Sequence, residues 1–235
     1  MTHAPPTPPP DVLLQSLQAM APALAHELRN PLSGILAGSQ MLARLLPAQG
    51  PAGEYAAIVR DEAQRLERLL ARLSEFGRLR ADGLALQAEL SVNELVEGVA
   101  RDPRAVPDGR WRLACQLAPG LPALAGDPLR LRAALCELLQ NACQAMPDGG
   151  CLTVATRLAG APPRVEVEVA DAGPGFDPEA QARALEPFFS TRPRALGVGL
   201  CLASLILQAH GGGLRIQSSS AGARVALLLP VTRDA

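Results

Sequence analysis

The apolar residues Leu17, Ala21, Leu24, Leu28, Pro31, Ile35, Gly38, Leu42 and Leu45 follow one another in alternating steps of four and three, the repeat of a helix that packs in a bundle. A second ladder, Tyr55, Val59, Glu62, Leu66, Leu69, Leu73 and Phe76, has the same spacing, with Glu62 its one polar member. Between them, residues 47–53 hold Pro47, Gly50, Pro51 and Gly53, which read as a turn. The pair predicts an antiparallel helical hairpin. Two helices that each carry a continuous apolar stripe cannot bury both stripes within one hairpin, so the expected form is a homodimeric four-helix bundle. Asp11 is a suitable N-cap for the first helix, and Pro22 and Pro31 predict a bend on either side of His26.

His26 falls two residues past a ladder position and should face solvent. Glu27 supplies an adjacent carboxylate that can fix the ring tautomer and leave the other nitrogen free to attack. Asn30 lies one turn further on the same face. The run His26-Glu27-Leu28-Arg29-Asn30-Pro31-Leu32 resembles the phosphoacceptor helix of bacterial two-component histidine kinases of the nitrogen-regulation (NtrB-like) type, and the match extends through Ser33-Gly34-Ile35 and Gln40-Met41-Leu42. By that resemblance His26 accepts a phosphoryl group, Glu27 serves the histidine, and Asn30 positions a water against a partner's aspartyl-phosphate. A satisfied backbone before Pro31 is the structural alternative for Asn30. Residues 61–66 likewise resemble the second helix of that group.

Composition narrows the chemistry. The 235-residue chain contains no lysine, which argues against a Walker A loop, a protein-kinase phosphate site and Schiff-base chemistry. A net charge of −1 gives no basic footprint for nucleic acid. Cys115, Cys136, Cys143, Cys151 and Cys201 are odd in number and never closely paired, so they read as reduced packing residues. With no apolar run of bilayer length and a polar, proline-rich start, a cytoplasmic location without a membrane span is expected.

Residues 1–10 read as a disordered proline-rich tail, 11–77 as the dimerisation and phosphotransfer hairpin, 78–87 as a linker in which residues 77–83 break the helix, and 88–235 as a second domain mixing strands and helices. Residues 84–88 alternate like a strand; Ser91 and Glu94 form a capping box for a helix to about residue 100; residues 111–117 read as another strand. A helix over 128–145 sets Glu137 and Asn141 on one face. An asparagine oxygen suits Mg²⁺, and a carboxylate one turn earlier can orient a docked histidine or metal-bound water. Strands over 151–158 and 165–169 lead into Asp171-Ala172-Gly173-Pro174-Gly175-Phe176. A carboxylate there can accept from an adenine amino group, while Gly173 and Gly175 let the backbone approach a nucleotide. After Ser190-Thr191-Arg192, the segment Gly197-Val198-Gly199 opens a helix whose amides can hold phosphate, and His210 reads as a helix-end residue.

This order, over residues 88–230, resembles the ATP-binding domain shared by histidine kinases, DNA gyrase, Hsp90 and MutL, an α/β sandwich that completes an α+β chain. The resemblance implies ATP and Mg²⁺ as cofactors: Asn141 as metal ligand, Glu137 as an aid to histidine activation, Asp171 against adenine, and residues 176–196 as a mobile lid with Thr191, Arg192, Gly197 and Gly199 near the nucleotide. Two departures stand out. Arg192 takes the place of a lysine and Ala195 that of a glycine, which weakens the expectation for lid closure or ATP affinity. The implied activity is autophosphorylation of His26 and transfer to an aspartate of a response-regulator receiver domain, possible partners including NtrC-like regulators, with phosphatase activity toward the same partner. The alternatives are a catalytically weak dimeric adaptor that docks a receiver, and a gyrase-like clamp, which leaves His26 without a task.

Overall fold

The computed structural model describes all residues except 1–9, 47–49, 82–83, 108, 193–194, 196 and 232–235. The chain divides into two units, Met1–Gly83 and Leu84–Ala235.

In the first unit, α1 (Pro10–Leu45) and α2 (Pro51–Ala81) fold back on each other. Helix α1 runs unbroken through Pro22 and Pro31, and α2 continues past Gly77, where the sequence predicted a break. A glycine inside a helix costs only about 1 kcal/mol, less than the neighbouring turns recover. Among the described residues the buried positions of the hairpin are Ala25, Leu32, Ser39, Ala56, Ala63, Leu70 and Ser74, and Leu36 packs against the cluster of Ala25, Leu32, Ala63 and Leu70. Arg29 ties the helices together by donating from Nη2 to Ser74 Oγ at 3.3 Å. The ladder residues Leu28, Ile35, Leu42, Tyr55, Val59 and Leu66 do not form this core. Leu28 and Ile35 are each 52% exposed and Tyr55 68%. The physical reason lies in the helix geometry. At about 100° per residue, Leu28, Ile35 and Leu42 occupy a flank of α1 beside the one that meets α2, so the hairpin has two apolar sides and a single chain covers one.

The second unit is built on a five-stranded sheet in the order β2-β4-β5-β7-β6, formed by β2 (Trp111–Leu117), β4 (Gly150–Ala159), β5 (Arg164–Asp171), β6 (Gly213–Ser219) and β7 (Gly222–Pro230). The β2/β4 pair is parallel and the others antiparallel. A separate ribbon pairs β1 (Gln87–Leu90) with β3 (Leu124–Gly126), so the strand predicted over 84–88 lies a few residues later. Helices α3 (Val92–Ala100), α4 (Pro128–Ala145), α5 (Pro178–Arg183) and α6 (Gly199–Ala209) complete the unit. The Ser91 hydroxyl accepts from Glu94 N at 3.3 Å and caps α3. On β5 the apolar residues alternate: Val165, Val167 and Val169 are buried on one face, and Glu166 between them is buried too, on the other. Leu135, Leu138 and Leu139 of α4 and Leu202, Ile206 and Leu207 of α6 are buried as well, with α4 packed against both β5 and α6. On the other sheet face Glu166 accepts from Arg215 and Arg157 at 2.7 and 2.8 Å, which holds its carboxyl below the usual range.

His210 does more than end a helix. It is buried, its Nε2 accepts from the Asp127 amide at 3.0 Å, and its Nδ1 donates to the Ile206 carbonyl at 2.7 Å, so the ring is neutral with its proton on Nδ1. Asp127 in turn caps α4 through Leu129 and Arg130 and accepts from Ala85 N. All five cysteines are free. Burial raises the thiols of Cys136, Cys143 and Cys201 to about 11, as expected of packing residues. Cys115 and Cys151 differ from that expectation: they lie exposed, because β2 is an edge strand and Cys151 stands on the face of β4 turned away from the helices. No helix among the described residues is long and apolar enough to cross a membrane.

Candidate functional site

On α1, His26, Glu27 and Asn30 are all exposed. By helical geometry His26 and Asn30 share one flank, about half a turn from the apolar flank of Leu28, Ile35 and Leu42. Among the described residues no hydrogen bond joins Glu27 to the His26 ring. Successive residues on a helix point about 100° apart, so an i,i+1 pair does not face inward on itself. Ser33 Oγ donates to the Arg29 carbonyl at 2.9 Å, one turn back on its own helix, whereas the carbonyl that the missing N–H of Pro31 leaves without its helical donor is that of Glu27.

In the second unit, Asn141, Gln144, Ala145, Asp171, Pro174, Gly175, Phe176, Thr191, Arg192 and Ala223 surround a cleft of about 200 Å³. Asp171 ends β5, and its Oδ1 accepts from Gly173 N at 2.9 Å and Ala223 N at 3.3 Å, so the carboxylate is fixed at the strand end. Gly175 sits at φ +72°, and a Cβ there would lie 2.1 Å from the Ser219 carbonyl, so only glycine lets this wall of the cleft close. Gly173 forms the turn beneath Asp171. The lid segment begins with α5 and with Phe188 at φ +64°, a strained value for a bulky residue; Arg183 stacks 4.2 Å from the Phe189 ring centroid.

Arg192 reaches into the cleft. Its Nη1 donates to Gln144 Oε1 at 3.0 Å and its Nη2 to the Asn141 carbonyl at 3.3 Å. Burial lowers the guanidinium from its ordinary value, and the Asp171 carboxylate opposes that. Of the residues predicted for this site, the cleft gathers Asn141, Asp171, Gly175, Thr191 and Arg192. Glu137 lies elsewhere: it is buried on α4, and a Cβ at Gly199 would meet its Oε2 at 2.5 Å, so it packs under the start of α6. Gly197 packs on the Phe189 carbonyl and turns the chain into α6. Gln144 was missed in the sequence, although its place three residues after Asn141 on a helix put it on a neighbouring face.

The donor set fits a nucleotide. A fixed carboxylate faces a cleft walled by glycine and proline, as an adenine amino group requires. Among the described residues no three His, Cys, Asp or Glu side chains converge on a metal position. Asn141 therefore suits a Mg²⁺ carried mainly by phosphate oxygens.

Residues 16–82 match the family model described as His Kinase A (phospho-acceptor) domain, and residues 126–233 that described as Histidine kinase-, DNA gyrase B-, and HSP90-like ATPase. Relatives include the sensor histidine kinase ZraS of Escherichia coli O157:H7, 33% identical over 93% of this chain and 47% of that protein. The sensory histidine kinase/phosphatase NtrB of Rhodobacter capsulatus is 31% identical over 92% of this chain and 63% of that protein. The chain thus spans about half the length of the ZraS relatives it matches, and somewhat more of NtrB. Among solved structures, full-length ShkA in complex with AMPPNP aligns at a TM-score of 0.72 and 30% identity, over 90% of this chain and 45% of that one. ThkA, solved in complex with the response regulator protein TrrA, shares the fold at a TM-score of 0.65 and 22% identity, over 95% of this chain and 64% of that one.

Proposed function

We propose that this chain, which belongs to the two-component histidine kinase family, catalyses phosphorylation of His26 from ATP and relays the phosphoryl group to an aspartate of a receiver domain. The observation that carries the reading is the exposed His26, with Asn30 on the same flank, in a chain whose second unit holds the Asp171 and Asn141 cleft. A neutral His26 ring nitrogen would form the new P–N bond as the bond from the γ-phosphorus to the β,γ-bridging oxygen breaks and ADP leaves; the other nitrogen keeps the proton, and Glu27 stabilises the charge that develops. Asp171 accepts from the adenine amino group, Asn141 donates its amide oxygen to Mg²⁺, and Gly173, Gly175, Thr191, Arg192, Gly197 and Gly199 shape the cleft and its lid. Bound MgATP would supply the phosphoryl group and neutralise its developing charge. Glu137, buried on α4 against Gly199 at the start of α6, aids histidine activation in this reading.

Asn30 holds a water in line with the aspartyl-phosphate of the partner, which gives the chain a phosphatase activity; the NtrB relatives, named as kinase/phosphatases, support this part. They also favour an NtrC-like regulator as partner. The exposed apolar flank of the hairpin supports a homodimeric four-helix bundle, with residues 11–77 as its dimerisation and phosphotransfer segment and residues 88–235 as the catalytic domain.

Incubation with γ-labelled ATP tests the proposal. Label on the parent that resists base and is lost in acid is expected, with none on His26→Gln, whose amide fills similar space without a nucleophilic nitrogen. Label persisting on His26→Gln would overturn the assignment. A parent that binds ATP without becoming labelled would point to the adaptor, in which Arg192 and Ala195 no longer support turnover.

A further inference from the structure

The geometry points to Gln144 as a positioning residue that holds Arg192 inside the nucleotide cleft and thereby sets how tightly nucleotide binds. The inference rests on the reading of this cleft as an ATP site. Arg192 spans two acceptors on the last turn of α4, the Gln144 side chain at 3.0 Å and the Asn141 carbonyl at 3.3 Å. Both acceptors lie at the negative end of the α4 dipole, where a cation is favoured. The Asp171 carboxylate adds attraction from across the cleft. The guanidinium serves the two acceptors from two separate nitrogens held in one planar fork, Nη1 on the Gln144 oxygen and Nη2 on the Asn141 carbonyl.

Size decides what the contact does. With Arg192 docked, the cleft holds about 200 Å³, whereas sites for ligands of nucleotide size run to roughly 300–1,000 Å³. Gln144, Asn141, Asp171 and Arg192 all line this same space. Arg192 therefore has to leave Gln144 before a nucleotide can seat, and the bond it breaks is subtracted from nucleotide affinity. The Asn141 carbonyl cannot be deleted by substitution, but the Gln144 oxygen can. Gln144 is exposed at the end of α4, so changing it leaves the core intact.

Dissociation constants for adenosine and for AMPPNP, measured by titration calorimetry on the full chain, test this. Loss of one solvent-exposed hydrogen bond predicts that Gln144→Ala tightens both ligands by about 3- to 10-fold. Gln144→Glu, which adds charge to the acceptor, should weaken both by a similar factor. In turnover assays KM for ATP should move with these constants while kcat stays at the parental value. Adenosine is the discriminating probe, since it has no phosphate for Arg192 to contact. Unchanged adenosine binding in both variants, or weaker binding in Gln144→Ala with an unchanged melting temperature, would overturn the inference. A parent that binds neither ligand while Gln144→Ala binds both would support it; failure of all three proteins to bind would refute the nucleotide reading itself and this inference with it.

Discussion

Within residues 84–235 a set of large apolar side chains, Leu135, Leu138, Leu139, Leu152, Leu202, Ile206 and Leu207, is almost wholly enclosed, whereas among the described hairpin residues most large apolar side chains are exposed and the enclosed positions are mostly small. Ala25, Ala56 and Ala63 fill the α1–α2 contact with help from Leu32, Leu36 and Leu70, while Leu28, Ile35, Leu42, Tyr55, Ile58, Val59 and Leu66 stay exposed. Apolar area removed from water contributes about 25 cal/mol per Å², so a helix pair that hides alanines and shows leucines gains little alone. A contiguous apolar flank of this kind marks an interface. The sandwich encloses a core of large side chains within one chain; the proposed dimer would cover the exposed flank of the hairpin. His26 rides on the hairpin, on a flank that the proposed dimer, formed through Leu28, Ile35 and Leu42, would leave open.

Changes that strike one unit and spare the other sharpen this contrast. The largest effect is expected of Leu28→Glu combined with Ile35→Glu. Burying unpaired carboxylates in an apolar interface should cost on the order of 4 kcal/mol or more, about 10³-fold in the dimer dissociation constant, while nucleotide affinity of the sandwich stays parental. Sedimentation velocity and calorimetric titration read the two halves of that statement. Next comes Asn30→Ala. If it positions water, dephosphorylation of the partner should fall by about 10²-fold with autophosphorylation near parental; a joint fall with lost helix content would mean that Asn30 serves the backbone before Pro31. Asp171→Asn should weaken ATP binding by roughly 10- to 100-fold. The fold should survive it, because an amide oxygen can still accept from Gly173 and Ala223. Parental ATP binding in that variant would place the adenine site elsewhere.

The smallest effect concerns pH. Arg215, then Arg157, hold the Glu166 carboxyl below its usual range, so the folded state binds fewer protons than the unfolded one. That stability is present above the ordinary carboxylate value of about 4.3 and is lost as pH falls through the lower folded value. Glu166→Gln should be modestly less stable at pH 7 and should lose less on acidification, its denaturation midpoint approaching the parent's in acid. Parallel curves for the two proteins from pH 7 down to pH 3 would show that the clamp contributes nothing.

Much of this was legible in the sequence because it depended on local chemistry. Ser91 and Glu94 announced a capped helix and Ser91 caps it; residues 151–158 and 165–169 read as adjacent strands and pair as β4 and β5; Asp171 and Asn141 stood where strand-end and helix-face arguments put them. Spacing failed where a residue's role depends on what crosses over it. The apolar ladder of α1 was read as one seam, yet the contact with α2 uses Ala25 and Leu32, and only the fold separates the two flanks. Glu137 shares a helix with Asn141, but its burial under Gly199 depends on where α6 begins, a contact across 62 residues of chain. The bonds from His210 to the Asp127 amide and from Arg192 to Gln144 are likewise long-range and left no local mark.

The contrast between a sandwich with an enclosed core and a hairpin with an exposed apolar flank is tested most directly by the solution mass of the full chain, measured by light scattering across micromolar concentrations. The account predicts twice the 24.5 kDa chain mass, falling to the single-chain mass in the Leu28→Glu, Ile35→Glu variant. A parent that stays at 24.5 kDa with its helices intact by circular dichroism would contradict it.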